Sequence, residues 1–369
     1  MRLLFVTGSL AHGGAERHTL ALANRLNERG HECHVAHVKD DAGLLEQLPL
    51  AGRAPPRSLE ASRYLEPRAV ARLARHAAAL RPDAVVAVNG YALMHAWLAL
   101  RGARLRTPLA VTYHSTKLLG AKQQLQMALY RLFFWSADCT VFVCDSQRRH
   151  WRRRGVFSRR NVVIYNGVDT DAFCDVRGPE ERARLRAASG FAATDYVIGM
   201  SALLRPEKNH VQLVDAVARL RNRGVPARAL MIGDGETRGA VEARALALGV
   251  SRDVAITGVQ QDVRPYIEAC DVMALCSVTE AFSLAAIEAM AMRRPVIHSD
   301  VGGAREMIVP GRNGFLFPAG NTGALVEKLA VLADRVVSEK MGQDAREVVK
   351  ARFSERAMVD RYEQTLLEL

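Results

Sequence analysis

Short β-branched apolar runs alternate with amphipathic helical stretches along this chain, and the alternation starts afresh halfway. Arg2 to Thr7 reads as a buried strand. Gly13-Gly14 opens a helix whose positions Ala15, Thr19, Leu22 and Leu26 share one face, and Gly30 ends it. Strand signals recur at Cys33 to Val38, Ala84 to Val88, Leu109 to Thr112, Thr140 to Cys144 and Val162 to Tyr165. After Asn166 the pattern resumes with Val197 to Met200, Ala229 to Ile232, Val254 to Thr257, Val272 to Leu275 and Pro295 to His298. Helices near 209–222, 237–248, 284–292 and 323–335 separate these runs. Repeated strand-helix-strand order means parallel sheets covered by helices on both faces. At 369 residues the chain is too long for one core and suits two. The expected fold class is therefore α/β, with two doubly wound domains facing each other and a join near 166–195. Met358, Tyr362, Leu366 and Leu369 mark one face of a final helix, which must be buried against something.

Hydrophobic residues make up 49% and charged residues 24%, which excludes wholesale disorder. No apolar run reaches the roughly 18–20 residues that span a bilayer. The nearest, Met127 to Cys144, is interrupted by Arg131 and Asp138. The apolar start is too short for a signal peptide, with Gly8 and His12 to Gly14 following it, so a cytosolic product is expected. The cysteines 33, 139, 144, 174, 270 and 276 form no CxxC pair and read as reduced thiols, with neither a metal site nor a disulfide framework. Charge is more telling. Residues 1–165 hold 25 Lys+Arg against 11 Asp+Glu, whereas residues 166–369 hold 26 against 28. A bias toward Arg (only 7 of 51 basic residues are Lys) raises the count everywhere but cannot create the asymmetry. The first half expects an acidic partner: a membrane surface, a nucleic acid or a phosphorylated substrate.

Ligands of open parallel sheets bind beyond the carboxyl ends of the strands, so the loops there carry the chemistry. The first such turn, Gly8 to Glu16, is not G-x-G-x-x-G, which disfavours a nicotinamide enzyme. Its adjacent Gly13 and Gly14 still let a phosphorylated group approach the helix amides. After the strand ending at Met200, Arg205 and Lys208 flank Pro206 and offer two cations to an anion. After the strand Val272 to Leu275 comes Glu280-Ala-Phe-Ser-Leu-Ala-Ala-Ile-Glu288. Ser283 suits the N-cap, leaving first-turn amides for phosphate oxygens. Glu288 lies about one turn further in, leans back toward the helix start and can bond hydroxyls beside that phosphate. Glu280 enters from the preceding loop. In plainer terms, Glu280 is a surface loop residue and Glu288 a partner of the helix dipole.

Several motifs occur in order: Gly-Gly-Ala-Glu at 13–16, Val-Ile-Tyr-Asn-Gly-Val-Asp at 163–169, Arg-Pro-Glu-Lys-Asn at 205–209, Gly-Asp-Gly-Glu at 233–236, Glu-x7-Glu at 280–288, and Gly302-Gly303-Ala-Arg-Glu306 before Asn313-Gly-Phe-Leu316. The ordered set, covering nearly the whole chain, resembles the retaining glycosyltransferases of family four, which have the GT-B fold of two Rossmann-like domains. The resemblance implies an acceptor domain at 1–166, a nucleotide-sugar domain at 167–352, and a helix at 353–369 crossing back to the first. It implies a hexosyltransferase-type enzyme that takes a nucleotide-diphosphate sugar as substrate and uses no cofactor and no metal. Glu288 would hold the ribose hydroxyls, and Glu280 would face the sugar. The amides of Phe282, Ser283 and Leu284 would contact sugar or diphosphate, with Gly14 also on the donor side. Arg205 and Lys208 would stabilise the leaving diphosphate. Many members read Gly-Arg-Leu-x-Pro-Glu-Lys, which places Leu203 where their arginine stands, so Arg205 would supply the guanidinium from two residues later. His114, at the end of Val-Thr-Tyr-His, resembles a histidine kept near the reacting sugar. Gly13 and Asn89 are candidates for the acceptor side.

The basic segment 147–160 contains seven arginines with Trp151 and Phe157 interleaved. It suggests peripheral docking on an anionic inner membrane leaflet, both rings settling at the interface, to reach a lipid-linked or lipopolysaccharide-type acceptor. The expected role is thus cell-envelope or exopolysaccharide synthesis, with no nucleic-acid partner. The competing readings are a nucleotide-sugar epimerase or hydrolase of the same fold and a nucleic-acid-binding protein built on the basic half.

Overall fold

The computed structural model describes residues 1–11, 13–46, 50, 55–114, 120–174 and 178–369, and the side chains of all of these except Ala121 and Lys122. His12, and residues 175–177 of the expected join, lie outside the described residues. The chain divides into two compact units, Met1–Asn166 with Arg356–Leu369, and Gly167–Glu355.

The first unit holds seven parallel strands, β1 (Arg2–Thr7), β2 (Glu32–His37), β3 (Arg57–Ser58), β4 (Ala84–Val88), β5 (Leu109–Tyr113), β6 (Cys139–Phe142) and β7 (Arg160–Val163). Their order is β3-β2-β1-β4-β5-β6-β7. Helices α1 (Gly14–Glu28), α2 (Pro67–Leu80), α3 (Asn89–Gly102), α4 (Ala121–Ser136) and α5 (Asp145–Arg152) run between them. The central strands β4 and β5 are buried at every position, as parallel strands covered on both faces must be.

The second unit carries α6 (Pro179–Ala188) and then a six-stranded parallel sheet ordered β10-β9-β8-β11-β12-β13. Its strands are β8 (Tyr196–Ser201), β9 (Ala227–Ile232), β10 (Val254–Ile256), β11 (Val272–Leu275), β12 (Val296–Ser299) and β13 (Gly314–Phe317). Between and after them lie α7 (His210–Asn222), α8 (Arg238–Ala247), α9 (Arg264–Ala269), α10 (Leu284–Ala291), α11 (Ala304–Met307), α12 (Thr322–Val331) and α13 (Arg335–Arg352). Both sheets reverse direction of winding beside their first strand, so each unit is doubly wound and Rossmann-like.

The last helix, α14 (Glu355–Leu367), completes the first unit. Met358, Val359, Tyr362 and Leu366 join one core with Leu3, Phe5, Leu20, Leu26 and Val141, and Leu369 packs partly buried against it. Arg29 donates to Asp360 at 2.6 Å and to Glu363 at 2.7 Å, and Glu363 also bonds His31. Burying such side chains stabilises by about 1.5–3 kcal/mol each, so this apolar face, not the rim of ion pairs, holds the helix.

Some boundaries differ from the sequence reading. The run expected at Thr140 to Cys144 ends as a strand at Phe142, because Cys144 turns out to cap α5, its Sγ accepting from the Gln147 N–H. The strand expected at Val162 to Tyr165 is Arg160–Val163, set by its register with Cys139–Phe142. The helix expected at 323–335 stops at Val331; Asp334 then caps α13 by accepting from Val336 and Val337. Strand β13 begins at Gly314 inside the Asn313-Gly-Phe-Leu316 motif, where the sequence reading placed no strand.

Candidate active site

In the second unit the expected donor-side residues meet at the carboxyl ends of β8 and β11. A turn over Pro206–Lys208 follows β8, and Pro206 fits its first helical position because no N–H is needed there. Lys208 Nζ donates to Glu280 Oε2 at 2.5 Å, and both side chains are mostly shielded. The main chain repeats the link: Val278 N–H donates to the Glu207 carbonyl at 2.9 Å. Two residues 72 positions apart thus form one charged pair at the mouth of the sheet.

Glycine motifs lock these loops together. Gly302 has φ +57, and a β-carbon there would lie 2.0 Å from the Glu280 carbonyl oxygen. Gly303 N–H donates to the Ala281 carbonyl at 2.8 Å. Gly233 has φ +145 and would place a β-carbon 2.1 Å from the Ala202 carbonyl, while Leu204 N–H donates to the Asp234 carbonyl. Only a residue without a side chain combines these backbone angles with such close approach. The Gly-Asp-Gly and Gly-Gly motifs therefore shape the loops that carry Lys208 and Glu280.

Ser283 caps α10, its Oγ accepting from the Ala286 N–H at 3.3 Å. Phe282 is buried against Phe353 with ring centres 5.3 Å apart, which fixes the entry to the helix. The free amides of the first turn and the positive end of the helix dipole suit an anion. Glu288 lies partly buried further along the same helix, and Leu284 is its first residue. The Arg205 side chain is exposed, unlike that of Lys208, so the two expected cations are not equivalent.

His298, which the sequence reading passed over, is the penultimate residue of β12, beside this pair. Its Nδ1 lies 2.6 Å from the Ser299 carbonyl and must donate to it, leaving Nε2 as an acceptor. That buried Nε2 has no hydrogen-bond partner among the described residues. Burial holds the ring neutral, with Glu280 and Lys208 pulling its affinity for a proton in opposite directions. The available signal was positional: Val-Ile-His-Ser ends a strand just as Val-Thr-Tyr-His does.

The first unit arranges its candidates differently. His114 lies just past β5, and its main-chain N–H donates to Asn89 Oδ1 at 3.0 Å. Asn89 has φ +65, and its amide oxygen is engaged in joining the β4 and β5 ends. The His114 ring packs edge-on against His18 at 4.9 Å, and His18 packs on Tyr362 at 5.5 Å. Burial lowers the His18 pKa to about 4 and holds His114 well below the usual histidine range, with His18 adding to the effect. His114 is a neutral imidazole here and can offer a hydrogen bond, not a charge.

Gly14 is exposed at the first position of α1. The approach to Gly13 is occupied by protein: a β-carbon on Gly13 would lie 2.2 Å from the Glu16 carboxylate. Burial raises the pKa of Glu16, and Asp41 adds to the rise. This carboxylate therefore lies at the helix start beside Gly13.

A cavity of about 470 Å³ opens at the opposite, amino ends of the second sheet, lined by Arg182, Arg186, Asp271 and Arg294 among others. Arg182 and Arg186 both bind Asp271, and Arg186 also donates to the carbonyls of Ala269, Ala193 and Asp195. These guanidinium groups tie α6 to the sheet. Among the described residues no three His, Cys, Asp or Glu side chains gather as a metal-binding group.

Two family models divide the chain in the same way as the sheets do. Residues 181–348 match the glycosyl transferases group 1, and residues 12–172 match glycosyltransferase family 4. The protein named glycosyltransferase EpsD of Bacillus subtilis is 30% identical over 272 residues, covering 71% of this chain and 70% of that one. The lipopolysaccharide core biosynthesis glycosyltransferase LpsE of Rhizobium meliloti is 28% identical over 96% of both chains. Among solved structures, Anabaena HepE in complex with UDP-glucose superposes with a TM-score of 0.86 at 25% identity, over 100% of both chains. This chain belongs to the family 4, group 1 glycosyltransferases and has their GT-B fold of two Rossmann-like domains. Its activity is glycosyl transfer, and the epimerase, hydrolase and nucleic-acid readings are not favoured.

Proposed function

We propose that this enzyme transfers a hexose from a nucleotide-diphosphate sugar, with retention at the anomeric carbon and without a metal ion. The acceptor is a glycan or lipid-linked saccharide of lipopolysaccharide or exopolysaccharide synthesis, reached at the inner face of the membrane. The observation that carries the donor side is the Lys208–Glu280 pair beside the capped start of α10. An ammonium has three donors, so Lys208 keeps N–H groups for a phosphate oxygen while Glu280 holds it in place. Arg205, being exposed, adds charge at the rim.

In the reaction the bond from the anomeric carbon to the diphosphate oxygen breaks, and its electron pair stays on that oxygen. The acceptor hydroxyl oxygen bonds the same carbon from the same face, and its proton ends on the departing diphosphate. Negative charge therefore grows where Lys208 and the amides of Phe282, Ser283 and Leu284 converge. Glu288 holds the ribose hydroxyls. Neutral His298, beside the Lys208–Glu280 pair, offers a hydrogen bond to the sugar without competing for the phosphate.

A uridine donor is the first to try, because the similar HepE was solved with UDP-glucose. Thermal shift against a panel of nucleotide-sugars identifies the donor. NMR of the product's anomeric proton then reads the stereochemistry. An inverted product overturns retention; loss of transfer in EDTA with recovery in magnesium overturns metal independence; no shift with any nucleotide-sugar overturns the donor assignment.

A further inference from the structure

Helix α4 has apolar side chains on both faces. Its inner face places Met127, Tyr130 and Phe134 in the core of the first unit. Its outer face presents Leu125, Leu129, Leu132 and Trp135, exposed by 76%, 44%, 55% and 50%, with exposed Ala128 between them. Spacings of 4, 3 and 3 keep these residues on one stripe along the helix. A helix that only covers a core turns a polar face outward, and a contiguous apolar patch marks a contact.

Basic residues border the stripe. Trp135 Nε1 donates to the Gly155 carbonyl at 2.9 Å, and its ring leans on Phe157, itself 42% exposed, at 6.1 Å. The stripe is thereby fixed to the end of α5 and the turn that follows it, where Arg152, Arg153, Arg154 and Arg159 are exposed. Between residues 84 and 168 the sequence has thirteen Lys+Arg and two acids, Asp138 and Asp145. Asp145 is already bonded to Arg148 and Arg149, and Asp138 accepts from the Leu109 N–H. Trp151, expected at an interface, is instead 1% exposed and packed on Tyr113. That expectation is corrected, and Trp135 stands at the surface.

We propose that the outer face of α4, with Phe157 and the arginines after α5, docks on an anionic lipid bilayer. The apolar stripe enters the headgroup boundary while the guanidinium groups meet lipid phosphates. No helix among the described residues is long and apolar enough to cross a membrane, so α4 lies in the interface plane. A nucleic acid would leave the leucines and tryptophan uncovered. A second copy seated on this face would bring two arginine clusters together. The inference deepens the acceptor side of the transferase reading and rests on it.

The test is co-sedimentation of the full chain with vesicles of phosphatidylglycerol and phosphatidylcholine, against phosphatidylcholine alone, at low and high salt. The variants are Leu129→Gln with Leu132→Gln, and Arg152→Ser with Arg153→Ser and Arg154→Ser. All five positions are exposed. Wild type should sediment with anionic vesicles and be released by salt. The leucine pair should weaken partitioning about tenfold or more, and the arginine triple about a hundredfold, at roughly 1 kcal/mol per cation. Thermal unfolding and nucleotide-sugar shifts should match wild type in both variants. Binding that ignores lipid charge, or survives the leucine pair, overturns the proposal. So does a light-scattering dimer that the leucine pair abolishes, or retention on DNA with none on vesicles. Lost vesicle binding with intact nucleotide-sugar shifts removes only the docking surface; lost nucleotide-sugar shifts with intact vesicle binding removes only the donor reading.

Discussion

After β1, in the first unit, the helix start meets a carboxylate: Glu16 folds over Gly13. After β8, in the second unit, the corresponding loop meets a cation, Lys208, held by Glu280. One doubly wound architecture therefore ends in opposite electrostatics at the same topological place. The second unit has its donor groups ordered by glycine-shaped loops and is suited to an anion. The first has neutral buried histidines and a carboxylate at the helix start there, and carries its positive charge elsewhere, around α4 and α5. Excess positive charge and the loops suited to an anion thus belong to different units, which whole-chain net charge conceals.

The largest expected effect tests what holds the first unit. Tyr362→Ala removes a fully buried ring from the face of α14 and should cost about 3–5 kcal/mol. Differential scanning calorimetry should record an earlier transition for the first unit, while nucleotide-sugar protection of the second is retained; equal loss in both would break the division. Next, Lys208→Ala should lower turnover about 10²–10³ fold, with Glu280→Gln also impairing transfer. Unchanged initial rates in both would remove the pair from the chemistry. Glu16→Gln should leave turnover far closer to wild type, sharpening the contrast between the two loops.

Acid should affect both units alike. Burial lowers the pKa of His18 in the first unit and of His210 in the second to about 4, from an ordinary 6.5. Between those values the unfolded chain binds more protons, so stability falls as pH drops from 6.5 to about 4 and is unaffected above that window. Each group contributes on the order of 3 kcal/mol across it, at 1.36 kcal/mol per unit. Denaturant melts at pH 7 and 4.5 check this, and His210→Gln should blunt the acid loss in the second unit alone. The smallest effect is Glu288→Gln, which should weaken nucleotide-sugar binding by roughly 1.5–3 kcal/mol through lost charge-assisted bonds. Wild-type affinity by calorimetry would return Glu288 to the role of a dipole partner.

The fold was legible where burial is simplest. Arg2–Thr7, Ala84–Val88 and Val272–Leu275 are strands as read, because strands covered on both faces appear as unbroken apolar runs. Strand β13 hid behind Asn313-Gly314, which reads as a turn. The N-cap Ser283 was visible from local spacing, whereas the contact of Lys208 with Glu280 depends on which strands become neighbours. His298 carried only the weak signal of a strand-end position. Trp151 misled because a ring among arginines looks interfacial, yet Trp151 lies on the inner side of α5. Helix α4 escaped notice for the opposite reason: apolar residues on both faces erase the period that would have separated them.

The path of α14 has a consequence for synthesis. The ribosome delivers residues 1–166 first, but the face of that unit lined by Leu3, Phe5, Leu20 and Leu26 stays uncovered until Met358, Tyr362 and Leu366 have emerged. Domains generally fold as units in the order they appear, and here the first unit must wait for the whole second one. Its nascent form carries an apolar surface through that interval, which is a natural hold for a chaperone. A chain stopped before α14 would keep both sheets and still leave its earliest-made half without a finished core.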